Sequence, residues 1–172
     1  AMIQKEIENA KNGLKAGISL KLNNIVDNRL IDKLYQASTA GVKIRLIIRG
    51  VCCLIPGLKG MSENIEVISI VDRFLEHSRF MIFENNEKPL YFISSADWME
   101  RNLDNRIEVG VPISDPDVQN EIQNIFDIEW KDNQKARIIE KKQKNKYRKP
   151  GNGDPLIQSQ KALYDYYEKK LF

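Results

Sequence analysis

The sequence predicts an α/β fold, a mixed β-sheet flanked by helices, and three observations predict it. Residues 16–22 (Ala-Gly-Ile-Ser-Leu-Lys-Leu) alternate apolar and polar, and Val42–Ile48 is a second β-prone run, with a helical pattern between the two. Strand, helix and strand within about 35 residues form a βαβ unit, whose strands are parallel. Arg79–Phe83 and Leu90–Ser94 flank the polar run Glu84–Pro89, the pattern of a hairpin with antiparallel strands. A sheet holding both directions is mixed, and the intervening helices cover its faces.

The elements follow in order. Residues 2–12 read as a short helix, with Ile3 and Ile7 one turn apart and Gly13 as its stop. Asp27 can cap a helix over 28–40 whose apolar face is Leu30, Ile31, Leu34 and Tyr35, with Gly41 as the C-terminal stop. Gly50–Gly60 is a loop marked by Pro56 and Gly57, and Ile65–Val71 is a third strand. A further strand is expected over Arg106–Ile113. From Asp117 the chain is helical, with Val118, Ile122, Ile125, Phe126 and Trp130 on one face. Ala136–Ile139 suits a short strand. Residues 131–155 form a basic segment able to act as a flexible arm, and 156–172 a C-terminal helix bearing Ile157, Leu163, Tyr164, Tyr167 and Leu171. Length and pattern fit a single domain over 1–172.

Composition excludes several classes. No run approaches the roughly 20 apolar residues of a membrane span, and no secretory leader opens the chain. Ala1-Met2 reads as a residue left by expression or as an internal start, so a longer parent protein is expected. Cys52 and Cys53 are adjacent, which suits neither a disulfide nor a zinc site. They are expected to be buried or half-buried thiols in a reduced, cytoplasmic protein. Net charge is +3, yet Lys131–Pro150 holds nine Lys/Arg against Asp132 and Glu140. Such a run is a solvated face or a site for an anionic partner, nucleic acid or another polyphosphate.

The chemistry-bearing residues lie mid-chain. His77 is the one imidazole. His77 and Arg79 stand at i and i+2 where a strand begins, so both leave one face. Glu84 follows at the strand's far end, and Ser94-Ser95-Ala96-Asp97 closes the next strand. Arg49-Gly50 falls at the carboxyl end of a parallel strand, where open α/β sheets bind ligands and glycine admits close backbone approach.

The pattern H-x-R-x-x-x-x-E followed by S-S-x-D resembles the phospholipase-D-type signature, H-x-K-x-x-x-x-D followed by G-S-x-N. Longer runs are similar to polyphosphate kinase of the histidine-phosphorylating type, which has two phospholipase-D-like domains. They are Ile48–Leu54, Pro56-Gly57, Ser62–Ile65, Ser69–Val71, Arg73–Arg79, Ile93–Met99, Arg101–Asp104 and Arg106–Val109, with Lys21–Asn23 and Ala40–Ile44 upstream. The likeness covers nearly the whole chain, weakening after about residue 130, and is to that enzyme's last domain.

That resemblance implies a phospholipase-D-like sheet and half of an active site. The family moves the terminal phosphate of ATP reversibly to inorganic polyphosphate with Mg²⁺, through a phosphorylated histidine in the preceding domain. It implies a catalytic role for His77, ATP contacts from Arg49 and His77, and phosphate or polyphosphate contacts from Arg73, Arg79, Arg106, Ser94, Ser95, Lys21 and Asn23. Glu108 and Asp97 are expected as supporting residues, and no metal ligand is assigned. The expected partners are ATP or ADP, polyphosphate and the preceding domains, in a cytoplasmic or membrane-associated homo-oligomer. Taken alone, this fragment is expected to be inactive. Structural readings stand beside these: surface pairing for Arg73, Arg101 and Arg106, turn roles for Ser94 and Ser95, core packing for Trp98, and a packing face for Tyr164, Tyr166 and Tyr167. Two other functions fit the residues, a non-catalytic anion- or nucleic-acid-binding module and a phosphodiesterase whose second histidine comes from a second copy.

Overall fold

The structure is a computed structural model that describes residues 1–171. Its elements are α1 (Met2–Lys11), β1 (Gly17–Leu22), α2 (Asn28–Thr39), β2 (Lys43–Ile48), β3 (Ile65–Ile70), β4 (Phe80–Phe83), β5 (Leu90–Ser94), α3 (Glu100–Leu103), β6 (Gly110–Ile113), α4 (Pro116–Trp130), β7 (Ala136–Ile139), β8 (Lys146–Tyr147) and α5 (Ser159–Leu171). One eight-stranded sheet runs in the order β6-β5-β4-β1-β2-β3-β7-β8. The central strands β1, β2 and β3 are parallel, and the strands outside them are antiparallel.

Alternation along the central strands divides the core between the two faces of the sheet. Ile18, Leu20, Leu22, Ile44, Leu46, Ile48, Ile65 and Val67 pack with Ile3 and Ile7 of α1 and Ile31 and Leu34 of α2. The opposite face, through Ile47, Ile68, Ile70, Phe80 and Ile82, packs on Ile122 and Phe126 of α4. Helices on both faces protect the parallel strands from water. The Asp27 side chain accepts from the Leu30 amide and fixes the start of α2. Gly41 follows α2 at φ +95°, a left-handed turn that glycine adopts without strain.

Three elements and the cysteine pair differ from the sequence expectation. The strand expected over 106–113 spans only Gly110–Ile113, because side-chain bonds occupy the backbone just before it: Ser95 Oγ accepts the Val109 amide at 2.9 Å and donates to Glu108. The basic segment 131–155 contains β8, which pairs with β7 and so lengthens the sheet. The buried Asp132 carboxylate accepts from the amides of Gln134, Lys135, Ala136 and Ser159 and joins that segment to α5. α5 begins at Ser159 rather than 156, Tyr164 is 67% exposed rather than packed, and Phe172 lies outside the described residues. Both cysteines are free, as their adjacency implies, but Cys53 is exposed; Cys52 is half-buried, and burial pushes its thiol up to about 11.

Candidate functional site

Strand register brings the candidate residues to one edge of the sheet. Leu22 of β1 is the register partner of Ile48 in parallel β2, so Asn23 and Arg49, one residue further on, emerge side by side. β4 runs antiparallel to β1 with Phe80 opposite Lys21, which sets Arg79 beside the end of β1. β5 ends beside the start of β4, and Ser94 donates its amide to the Arg79 carbonyl at 3.0 Å. Ser94 also faces Gly110 of β6, so Arg106 and Glu108 precede β6 at the same edge. Five segments distant in sequence therefore meet at the carboxyl end of the parallel strands.

Asp97 holds that edge together. Its buried carboxylate accepts from the Asn23 amide (2.9 Å), the Asn24 amide (3.1 Å), Asn24 Nδ2 (2.9 Å), Arg79 Nε (2.9 Å) and Arg79 Nη2 (3.2 Å). Burial pushes the Asp97 carboxyl up, but the Arg79 guanidinium and the Asn23 and Asn24 donors outweigh it and hold it below the ordinary carboxylate range.

Arg79 continues the network to His77. Its Nη1 lies 3.3 Å from His77 Nδ1 and 3.1 Å from the His77 carbonyl, and its Nη2 lies 3.1 Å from Nε2. The two ring nitrogens point apart in the imidazole plane, so one guanidinium cannot meet both in plane. Both ring nitrogens lie within 3.3 Å of the guanidinium, and the His77 residue is exposed. On the other side Arg49 Nε donates to Asn23 Oδ1 at 2.8 Å, and among the described residues its terminal nitrogens have no protein partner. One hydrogen-bonded row thus runs Arg49–Asn23–Asp97–Arg79–His77. Asn23 Nδ2 is buried in it without a partner among the described residues.

Glycine and serine complete the edge. The Gly50 amide donates to the Asn23 carbonyl at 2.7 Å, and a Cβ on Gly50 would stand 2.9 Å from that oxygen and 2.7 Å from Asn24 Oδ1. Ser94 Oγ accepts from the Ala96 amide in a tight turn, and Ser95 is committed to Glu108 and Val109. Bonds from Ser95 and Asn102 hold the Glu108 carboxyl below its ordinary value. Arg106 is exposed without an ion pair among the described residues, and Arg73 is exposed against the Phe74 ring.

Lys21 is placed apart from the row. Its side chain leaves the α4 face of β1, is 6% exposed, and is bonded to Glu76 at 2.7 Å and to Glu129 of α4. Glu76 and Glu129 therefore take the ammonium that the resemblance assigned to phosphate. Burial and the nearby Glu76 push Glu129 up to about 8, while Lys21 and Gln160 outweigh burial at Glu76 and hold it low. Sequence reasoning left Asn24, Glu129 and Gln160 unassigned. The doubled Asn23-Asn24 at a strand end was a signal for the first; nothing in the spacing marks the other two, which lie more than 80 residues from Glu76 or Lys21.

Among the described residues no group of three or more His, Cys, Asp or Glu side chains is placed to hold a metal ion. Of the carboxylates at this edge, Asp97 takes five donors and Glu108 takes one on each oxygen, from Asn102 and Ser95. The arrangement offers the half-buried Arg49 guanidinium and the exposed His77 imidazole along one edge, with Arg106 exposed nearby, which suits an extended anion with several phosphoryl groups.

The fold and this edge define a phospholipase-D-like α/β domain. A solved phospholipase D family member from Salmonella typhimurium shares the fold at a TM-score of 0.56 and 14% identity, over 78% of this chain and 88% of its own. The chain belongs to the family described as polyphosphate kinase C-terminal domain 2, which matches residues 1–160. It is 56% identical to a polyphosphate kinase of Vibrio vulnificus (strain YJ016) over 96% of this chain and 23% of the relative. It superposes on the crystal structure of polyphosphate kinase from Porphyromonas gingivalis with a TM-score of 0.95 and 45% identity, over 98% of this chain and 26% of that one. The chain spans about a quarter of the length of these kinases.

Proposed function

We propose that this chain supplies one half of the active site of a polyphosphate kinase, which transfers the terminal phosphate of ATP reversibly to inorganic polyphosphate. The observation that carries the reading is the row Arg49–Asn23–Asp97–Arg79–His77 along one sheet edge. Phosphoryl transfer asks a protein mainly for positioning and for neutralisation of charge on the phosphoryl oxygens. Arg49, with free terminal nitrogens, grips nucleotide phosphate. His77 meets the reacting phosphate, donating to a bridging or leaving oxygen when protonated and accepting when neutral. Arg73 and Arg106, neither in an ion pair among the described residues, extend the cationic lining toward the polyphosphate chain. Arg79 acts chiefly by holding His77.

Mg²⁺ belongs in this reading with the substrate, as MgATP, since the described residues offer no carboxylate cluster of their own. The phosphorylated histidine and the rest of the pocket come from preceding domains, in a cytoplasmic or membrane-associated homo-oligomer. No helix among the described residues is long and apolar enough to cross a membrane.

The test is His77→Ala in the full-length enzyme, which is expected to abolish polyphosphate synthesis from ATP. Near-normal synthesis by that variant removes His77 from the mechanism. One observation favours a second reading, a non-catalytic anion-binding module: Lys141, Lys142, Lys144, Lys146 and Lys149 are all exposed around β8. Binding titrated against salt separates the two. A steep salt slope on DNA with no preference for polyphosphate supports the module.

A further inference from the structure

The segment Val71–Ser78 that carries His77 has little apolar burial to fix it. Val71, Phe74 and Leu75 are 65%, 64% and 73% exposed, and the segment belongs to no helix or strand. Its order comes from polar contacts at every second residue, and most of them come from the start of α5. Gln158 Nε2 donates to Asp72 Oδ2 at 2.6 Å. The Gln160 amide grips the Phe74 backbone from both sides, accepting from its N–H at 2.9 Å and donating to its carbonyl at 2.8 Å. Gln160 Nε2 also donates to Glu76 Oε1 at 2.9 Å, while Lys21 of β1 holds the other oxygen of that carboxylate at 2.7 Å. Alternation then turns His77 outward, toward Arg79 and the open edge.

We propose that Gln160 is a positioning residue for His77: it clamps residues 74–76 against β1 and α4 so that the imidazole is presented at a fixed height over the sheet edge. The clamp has a rigid base. Asp132, fully buried, accepts the Ser159 amide at 2.7 Å, and Asn133 exchanges backbone and side-chain bonds with Ile157. Gln160 suits the task because one primary amide both donates and accepts, as the Phe74 peptide requires. A displacement of about 1 Å at a catalytic group can cost a hundredfold in rate, so a loose His77 segment would show in turnover before it showed in binding.

The inference rests on the role given to His77 above, and its test separates the two. In the full-length enzyme, Gln160→Ala is expected to speed amide hydrogen exchange of peptides covering 71–79 while peptides of β1, β2 and α4 stay as in the wild type. It is also expected to lower kcat about tenfold or more with KM for ATP changed less than about twofold. Gln160→Glu keeps the acceptor for the Phe74 N–H but loses the donor and faces Glu76. Its kcat relative to wild type is expected to be low at neutral pH and to recover on acidification, as the new carboxyl gains a proton to donate. Unchanged exchange over 71–79 in Gln160→Ala overturns the clamp whatever the activity. Faster exchange with wild-type kcat overturns the positioning role of the clamp. Faster exchange spread over all peptides, with Gln160→Glu showing no pH-dependent recovery, reduces Gln160 to general stability and also overturns it.

Discussion

Asp97 and Arg79 meet through two hydrogen bonds, with side chains 6% and 10% exposed, although one residue precedes the β4–β5 hairpin and the other follows it. This pair closes the open end of the hairpin, and Asp97 binds the end of β1 with its remaining capacity. Asp97→Ala leaves the guanidinium buried and unpaired, and is expected to cost about 3–5 kcal/mol of stability. Asp97→Asn, which keeps an acceptor, is expected to cost less. The Asp97 carboxyl is held below its unfolded value, so its contribution is complete above about pH 3.9 and is lost as pH falls through the lower folded value. Urea denaturation of wild type and Asp97→Asn checks this: their stabilities should converge as pH drops below about 4.

The Lys21–Glu76–Glu129 cluster has the opposite sign. Glu129 keeps its proton to about 8 because burial disfavours its charge, Glu76 adds a second negative group, and one of its oxygens has no partner among the described residues. An unfolded glutamate releases that proton near about pH 4.3. Between those values the folded chain binds the proton and the unfolded chain does not, so stability linked to Glu129 falls as pH rises through the window. Glu129→Gln removes the titration and keeps an oxygen for Lys21. It is expected to gain on the wild type steadily between about pH 5 and pH 8 in urea midpoints. A difference that stays constant across that range refutes the assignment.

The βαβ unit and the hairpin were legible because each is local. Alternating Ile18, Leu20 and Leu22, the Asp27 cap and Gly41 act within a few residues of one another. The gathering of candidate residues at one edge was legible, because carboxyl ends of parallel strands converge and Arg49, Arg79 and Ser94 sit at strand ends. Its internal wiring was not. Asp97 entered only as a supporting residue, yet it takes five donors from two distant segments, and no spacing rule reports that. The resemblance assigned Lys21 to phosphate, whereas it pairs with Glu76 and with Glu129, which lies on a helix packed across the sheet. β8 was hidden because two residues, Lys146 and Tyr147, hold no hydrophobic period; it exists because β7 offers an open edge and Arg137 stacks on the Tyr147 ring at 4.0 Å.

Gly50 is expected to tolerate no side chain. A Cβ there would press on the Asn23 carbonyl at 2.9 Å, and that oxygen accepts the Gly50 amide itself, so neither backbone can withdraw without breaking the bond. Gly50→Ala is expected to lose about 1–3 kcal/mol, typical of overpacking. Because Asn23 also holds Arg49, the variant enzyme should show a raised KM for ATP at temperatures where it remains folded. A wild-type KM together with wild-type stability would show that the contact relaxes freely.

Arg49 is oriented by one nitrogen and free at two, and that division of labour gives a discriminating substitution. Nε donates to Asn23 Oδ1 at 2.8 Å, which fixes the guanidinium as a fork whose terminal nitrogens have no protein partner among the described residues. Lysine carries one nitrogen, which can reach Asn23 or a phosphate oxygen but cannot serve as fork and hinge together. In Arg49→Lys of the full-length enzyme, loss of one charge-assisted hydrogen bond, worth about 1.5–3 kcal/mol, is expected to raise KM for ATP by about tenfold or more. The fold should be intact, since Asn23 keeps its backbone bonds to Asp97 and Gly50. If KM for ATP is unchanged while KM for polyphosphate rises, the fork grips the polymer rather than the nucleotide. If neither moves, Arg49 is not part of the site.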